Sequence, residues 1–296
     1  MTDIGLLMCG HGSRDARGTS EFASLAGAVA RRFPHWTSAH GFLEFAQPTI
    51  ADSLRQLAAD GAKTIIAVPS LLFSARHARA DIPGVLRDNA PSGIAIRYAE
   101  PLGFDPQVLR AAADRIEEAE ASCAMQVSRA ETLLLVAGRG TSDAEANSDL
   151  AKLTRLLAEG MEFGWGMTCY SGVTTPQPAQ ALDQAAKLGY RRIVVMPYFL
   201  STGALVERIF VATDEAARRY PGTEFVQAPY LGAHPLIIEA FSDRIIEALE
   251  GPAHGHDHHH HAHDHDNDDC DDEWHNHAPH GPAEQPNIYS LAPRKG

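Results

Sequence analysis

The chain has 296 residues, enough for one to three domains, and its 38 acidic and 25 basic side chains give a net charge of −13. This excess of acid argues against nonspecific nucleic-acid binding, because phosphate contacts need clustered Lys and Arg. With no long apolar run, no signal-peptide pattern and four widely spaced cysteines, the sequence predicts a cytoplasmic protein that does not bind membranes.

The first half of the chain alternates short apolar runs with amphipathic segments. The pattern predicts strands over 4–9, 38–43, 64–68 and 94–98, and helices over 20–33, 48–60, 78–89 and 105–121. Pro48 is predicted to lie in the first turn of the second helix, where proline is tolerated. The run Ile65-Ile66-Ala67-Val68 is apolar throughout, which is typical of a parallel strand covered on both faces.

The second half repeats the first at a constant shift of 128 residues. The motif at residues 6–13 returns at 134–141, and the same shift carries Pro48 onto Pro176. The repeat predicts strands over 132–137, 165–169, 192–196 and 224–228, and helices over 143–159, 176–188, 203–220 and 234–249. We therefore predict an α/β protein of two tandem lobes at 1–121 and 132–251, each a four-stranded, mainly parallel sheet flanked by helices.

Three polar residues of the first copy have lost their counterparts in the second. His11, Glu44 and His77 follow three strands of the first copy. The residues at the matching positions of the second copy are Arg139, Gly172 and Leu205. Each polar residue alone would more often be an ordinary turn or surface residue. Because ligands of parallel sheets bind beyond the carboxyl ends of the strands, the three are expected to converge on one cleft. Two imidazoles and a carboxylate suit a divalent first-row metal in an open site.

The same residues carry a family resemblance over residues 4 to about 250. The runs Gly10-His11-Gly12-Ser13-Arg14, Phe42-Leu43-Glu44 and Pro69-Ser70-Leu71-Leu72, with Asp81-Ile82-Pro83, resemble the sirohydrochlorin chelatases, which are class II tetrapyrrole chelatases. The long CbiX-type cobaltochelatases are the best match. The resemblance implies that His11 and His77 bind the metal, that His11 also accepts a proton, and that Glu44 assists.

The implied reaction is the insertion of a divalent ion, Co²⁺ first and Fe²⁺ or Ni²⁺ as alternatives, into sirohydrochlorin during cobalamin biosynthesis. The ion is a substrate, and no prosthetic group is expected. Some long relatives carry a C-terminal MxCxxC iron–sulfur motif, but Cys270 is the one cysteine of this tail, so no cluster is predicted. Arg14, Arg76 and Arg139 are predicted to bind the substrate's carboxylates, although ordinary surface arginines are equally consistent with the pattern.

Two other functions stay open at this point. A sirohydrochlorin ferrochelatase for sirohaem synthesis would use the same two histidines, and no residue distinguishes cobalt from iron. A non-enzymatic metal store or chaperone would bind ions through the tail alone. The retention of His11, Glu44 and His77 favours an enzyme over a store.

Residues 252–296 differ from the rest of the chain. They hold eleven of the sixteen histidines and a net charge of −7. With almost no aliphatic side chains, this segment is predicted to be disordered without metal. The predicted accessory metal ligands are His256, His258, His259, His260, His261, His263 and His265. A metal reservoir that raises the local ion concentration is favoured over a merely solubilising tail.

Overall fold

The computed structural model describes residues 3–73 and 78–251 of the chain. In the first half, strands and helices alternate from the first described residues. The elements are β1 (Ile4–Gly10), α1 (Ala16–Ala30), β2 (Thr37–Phe42), α2 (Ile50–Ala59), β3 (Thr64–Pro69), α3 (Ala78–Asp88), β4 (Ala95–Tyr98) and α4 (Pro106–Ala121).

The second half repeats this order after a short 3-10 turn at Arg129–Glu131. Its elements are β5 (Thr132–Gly138), α5 (Ala144–Gly160), β6 (Trp165–Tyr170), α6 (Pro178–Lys187), β7 (Arg192–Pro197), α7 (Ala204–Arg219), β8 (Glu224–Gln227) and α8 (Pro235–Glu250). No helix within the described residues is long and apolar enough to cross a membrane.

Each half forms its own four-stranded sheet. The strand orders are β2-β1-β3-β4 and β6-β5-β7-β8, and every pairing described between these strands is parallel. Gly5 lies opposite Thr37, and Leu133 lies opposite Trp165, so the two registers are related by the same shift of 128 residues. The predicted architecture of two α/β lobes is confirmed, with sheets that are parallel throughout rather than mainly parallel.

The helix starts were predicted less well than the strands, because they depend on capping residues. Asp15 accepts a hydrogen bond from the Arg17 backbone, so α1 begins at Ala16 instead of residue 20. Thr49 and Asp52 form a capping box, so α2 begins at Ile50. The placement of Pro48 in the first turn of α2 is therefore wrong: this proline precedes the N-cap.

Alternate residues of the central strands enter different cores. In β1, Leu6 and Met8 belong to a large core shared by both halves of the chain, whereas Leu7 and Cys9 pack with α2 and α3. All four side chains are at most 1% exposed. This period of two, with both faces apolar, is what a parallel strand covered by helices on both sides requires.

The last helix of each half packs across the boundary between the halves. Helix α8 contacts β3, β4 and α1 of the first half, while α4 contacts β7, β8 and α5 of the second half. The two helices also contact each other, and Arg244 of α8 lies 3.2 Å from the carboxylate of Asp105, the N-cap of α4. The domain limits of 1–121 and 132–251, which follow chain order, stay a prediction. The packing of the two helices joins both halves into one core.

Candidate active site

A cleft lies between the two sheets, at the carboxyl ends of their central strands. Its cavity measures about 290 Å³ and is bounded by the loops that follow β1, β3, β5 and β7. The apolar wall contains Phe22, Phe42, Phe73, Leu150 and Tyr198. In the first lobe, this rim adjoins the point between β1 and β3 where the strand order reverses, which is the usual ligand site of an open parallel sheet.

Backbone hydrogen bonds hold the loop after β1 against the loop after β2. The Leu43 N–H donates to the Gly10 carbonyl at 2.9 Å, and the Glu44 N–H donates to the His11 carbonyl at 3.0 Å. Gly12 has a φ of +96°, and a Cβ atom there would lie 1.8 Å from the Glu44 carbonyl oxygen. Only glycine allows this approach, which places His11 and Glu44 side by side.

The side chains of His11 and Glu44 form a pair that can bind one metal ion. His11 Nε2 lies 3.1 Å from Glu44 Oε1, and the two side chains are 39% and 46% exposed. Two ligand atoms that are each roughly 2.0–2.2 Å from the same ion lie about 3.0–3.5 Å apart, depending on the angle at the ion. The partial exposure leaves room for further ligands, as an open site requires.

The surroundings of His11 favour its neutral form. Burial lowers the pKa of the imidazole most, and the positive charge of Arg139 lowers this pKa further, while Glu44 and Asp81 act in the opposite direction. The net pKa lies below the ordinary value for histidine, so the ring is neutral near pH 7. A neutral imidazole has a free lone pair, which can bind a metal ion or accept a proton.

Arg139 lines the cleft, and Arg14 directly follows the lining residue Ser13. Arg14 and Arg139 are exposed, and neither makes an ion pair with the carboxylates of residues 3–73 and 78–251. By contrast, Arg17 pairs with Asp15 and Glu207. Free guanidinium groups at the rim are suited to carboxylates of an incoming substrate.

The structure brings together two of the three predicted metal and catalytic residues. His77 and Arg76 lie outside the described residues, as do all seven predicted metal ligands of the tail. Across the described part of the chain, no group of three or more His, Cys, Asp or Glu side chains is placed to hold a metal ion. What the structure supports directly is the pair of His11 and Glu44, with Arg139 acting on His11 from the second lobe.

The two lobes are also joined at the edge of the cleft. Glu21 of α1 accepts hydrogen bonds from the Thr202 N–H at 2.8 Å and from the Tyr230 hydroxyl at 2.7 Å. Arg17, one turn earlier in α1, pairs with Glu207 of α7. These contacts fix the loop after β7 against α1 and so set the distance between the two rims.

Phe45 is a residue of this site that the sequence analysis missed. Its ring lies 6.4 Å from the imidazole of His11, and the Arg14 guanidinium carbon lies 4.9 Å from the ring centroid. An apolar neighbour of Glu44 does not stand out among the ionisable residues in which the two copies differ. The available signal was that Val173 replaces Phe45 in the second copy, just where the polar residues are also replaced.

Both halves of the chain match a known family. The CbiX family model matches residues 5–119 and 133–248. A sirohydrochlorin cobaltochelatase of Priestia megaterium is 31% identical over 254 residues, covering 83% of this chain and 80% of that protein. A sirohydrochlorin ferrochelatase of the same organism is 28% identical over 246 residues, covering 82% of this chain and 89% of that protein.

Solved structures give a similar result. SirB from Bacillus subtilis with Fe³⁺ is 27% identical and has a TM-score of 0.72, covering 83% of this chain and 95% of that chain. The sirohydrochlorin chelatase SirB from Bacillus subtilis subspecies spizizenii, in complex with cobalt, is 25% identical and has a TM-score of 0.69, covering 84% and 96%. The similarity therefore extends over both lobes and the cleft between them.

Proposed function

The chain belongs to the CbiX family, and on that premise we propose that it is a sirohydrochlorin chelatase, a lyase-type enzyme that inserts a divalent metal ion into sirohydrochlorin. The observation that carries this proposal is the pair of His11 and Glu44, with ligand atoms 3.1 Å apart at the rim of a largely apolar cleft. This pair is present in one of the two copies, so the fold alone does not account for it. His77, outside the described residues, is proposed as a further metal ligand.

The chemistry of insertion needs both a metal ligand and a proton acceptor. A divalent ion displaces the two N–H protons of the macrocycle and bonds to its four ring nitrogens, while it leaves its protein ligands. The neutral imidazole of His11 can deliver the ion or accept a proton, and the neighbouring carboxylate of Glu44 stabilises the imidazolium that results. Because its pKa is lowered, His11 keeps its lone pair free for the ion, and the imidazolium that forms can release its proton to solvent.

The remaining cleft residues suit the substrate's shape. A flat conjugated macrocycle can lie against the apolar wall formed by Phe22, Phe42 and Phe73, while its peripheral carboxylates meet Arg14 and Arg139. Arg14 and Arg139 belong to different lobes, so together they would hold the macrocycle from both sides of the cleft.

Cobalt is the ion we assign, with cobalamin biosynthesis as the destination and the cytoplasm as the location. The assignment is supported by the cobaltochelatase of Priestia megaterium, which shares slightly more of the sequence than the ferrochelatase of that organism does. A ferrochelatase is the second candidate, favoured by the likeness to SirB with Fe³⁺. The described ligands, an imidazole and a carboxylate, suit either ion.

An anaerobic assay with purified protein tests the proposal. Sirohydrochlorin and Co²⁺ or Fe²⁺ are mixed, and insertion is followed by the change in the tetrapyrrole absorbance spectrum. We expect insertion with wild-type protein, a higher kcat/KM for Co²⁺, and a His11→Ala variant with insertion reduced by roughly 10²-fold or more, since ligand and proton acceptor are both lost.

Arg218→Gln, an exposed change on α7 away from the cleft, provides the matched control and should match wild-type activity. No insertion above the rate without protein, despite tight metal binding, would favour a metal store. A higher kcat/KM for Fe²⁺ would identify a ferrochelatase. Near-normal activity of His11→Ala would overturn the assignment of the site.

A further inference from the structure

Phe45 has a strained backbone conformation and an exposed aromatic ring, and neither feature stabilises the fold. Its φ is +62°, in the left-handed region, and its side chain is 53% exposed. Among the described residues other than glycine, Glu162 is the one further position with a positive φ. Bulky side chains disfavour this backbone conformation, and an exposed ring contributes little to the core. Neither folding nor packing explains why phenylalanine stands here.

The surroundings of Phe45 are those of the proposed reaction site. The ring contacts His11 at an interplanar angle of 79°, and the Arg14 guanidinium stacks over it. Phe45 therefore neighbours both a residue proposed to bind the metal and a residue proposed to bind a carboxylate. A cation over an aromatic ring is attracted by the negative face of the ring, so the ring restricts where the flexible Arg14 side chain can go.

The second copy lacks this arrangement as a whole. Its residues at the positions of His11, Arg14 and Phe45 are Arg139, Ser142 and Val173. Val173 is 81% exposed and does not have a positive φ. The left-handed backbone, the aromatic ring and the stacked guanidinium thus occur together in the lobe that holds the His11–Glu44 pair, and they are replaced together in the other.

We propose that Phe45 is a positioning residue for substrate binding: its ring holds the Arg14 guanidinium at a fixed place relative to His11. A peripheral carboxylate of the tetrapyrrole then binds Arg14 while the ring nitrogens lie at His11. This inference rests on the proposed chelatase function. It assigns to Phe45 an effect on substrate affinity that is exerted through Arg14, separate from the metal chemistry of His11 and Glu44.

Kinetics of Phe45→Leu, which removes the aromatic ring without introducing a β-branched side chain at a positive φ, test the proposal. We expect the KM for sirohydrochlorin to rise roughly threefold to tenfold, in line with the strength of a partly exposed cation–π contact. The kcat at saturating sirohydrochlorin and the KM for Co²⁺ should stay within about twofold of wild type. Phe45→Tyr retains the aromatic face, so its KM for sirohydrochlorin should equal that of wild type.

A double-substitution cycle separates action through Arg14 from other effects. Arg14→Ala should raise the KM for sirohydrochlorin, and adding Phe45→Leu to it should raise the KM no further. Additive effects of the two substitutions would overturn the proposal, and so would a Phe45→Leu protein with wild-type KM. A fall in kcat or a weaker response to Co²⁺ would show that Phe45 acts on His11 instead.

Strain relief supplies a readout that packing alone would not give. Phe45→Gly removes the left-handed penalty, so its melting temperature should equal or exceed that of wild type while its KM rises. Glu162→Gly relieves the same φ of +62° next to the C-terminus of α5, outside the cleft, and should leave the KM unchanged. A wild-type protein that inserts no metal would refute the proposed function, whereas active wild-type protein with unaffected Phe45 variants would refute this inference alone.

Discussion

At the scale of single residues, the main feature of the candidate site is the protonation state of the His11 imidazole. His11 is partly buried beside Glu44, and the positive charge of Arg139 opposes protonation. Arg139 stands at the position of the second copy that corresponds to His11, so the duplication has placed a cation opposite the proposed metal ligand. The sequence identified His11, Glu44 and Arg139 as candidates because each follows a strand, but the direction of the effect of Arg139 on His11 depends on the distance across the cleft.

Arg139→Gln should shift the pH dependence of insertion. Arg139 lowers the pKa of His11, so its removal raises this pKa, and protonated His11 persists to higher pH. Because protonated imidazole neither binds metal nor accepts a proton, the acidic limb of the kcat profile should move to higher pH, measured at saturating sirohydrochlorin.

Arg218→Gln removes an equal charge from an exposed position on α7 and should leave the acidic limb in place. A limb that stays at the wild-type pH in Arg139→Gln, or moves to lower pH, would contradict the electrostatic role assigned to Arg139.

At the scale of secondary structure, strands were predicted to within one residue at each end, while helix starts were predicted less closely. Strand limits follow from apolar runs bounded by polar and glycine residues, which are local properties of the sequence. The start of α2 depends on whether the Thr49 side chain or the ring of Pro48 begins the helix, and the capping box of Thr49 and Asp52 decides it. The crossing of α4 and α8 had no local signal, because an apolar helix face does not specify which sheet it covers.

Phe241→Ala in α8 should destabilise the whole molecule. Phe241 is fully buried in the core shared by both halves, and truncation of a buried phenylalanine costs about 3–5 kcal/mol. Since α8 packs on the first sheet while it belongs to the second half of the chain, both halves should unfold in one transition at lower denaturant concentration.

Ile246→Ala in the same helix is the matched control. Ile246 is 42% exposed, so its truncation should change the free energy of unfolding by less than about 1 kcal/mol. Two separate unfolding transitions in Phe241→Ala, with the first half unaffected, would show that α8 does not couple the two halves.

At the scale of the whole molecule, the chain is a duplicated α/β unit whose two copies have taken different parts. The first copy holds His11, Glu44 and Phe45, and the second contributes Arg139 and the opposite wall of the cleft. The net charge is also unevenly distributed, but between the duplicated unit and the tail. Residues 252–296 carry −7 of the total of −13, together with most of the histidines. The metal reservoir assigned to these residues lies outside the described structure and stays a prediction.

A chain that ends at Gly251 should fold and retain most of its activity at saturating metal. The C-terminal helix α8 ends at Glu250, so the truncation leaves every described element complete. At limiting Co²⁺ the truncated chain should insert metal more slowly than the full chain, because the tail no longer raises the local ion concentration.

The full chain with Gln at the seven predicted tail ligands is the control that preserves length, and it should behave like the truncated chain. Loss of folding on truncation, measured by circular dichroism, would show that the tail is structural. Equal rates at limiting metal would contradict its role as a reservoir.

The sequence by itself determined the duplication, the order of strands and helices, and the lobe that carries the ionisable residues. These features can be read along the chain, because periodicity, repeat spacing and the position of a residue after a strand do not depend on how the chain folds in space. Only the tertiary structure decided which sheet each terminal helix covers, how Arg139 acts on His11, and that Phe45, with its left-handed backbone, has its ring beside both His11 and Arg14. Those properties depend on contacts between distant segments and on backbone dihedral angles, neither of which a single sequence specifies directly.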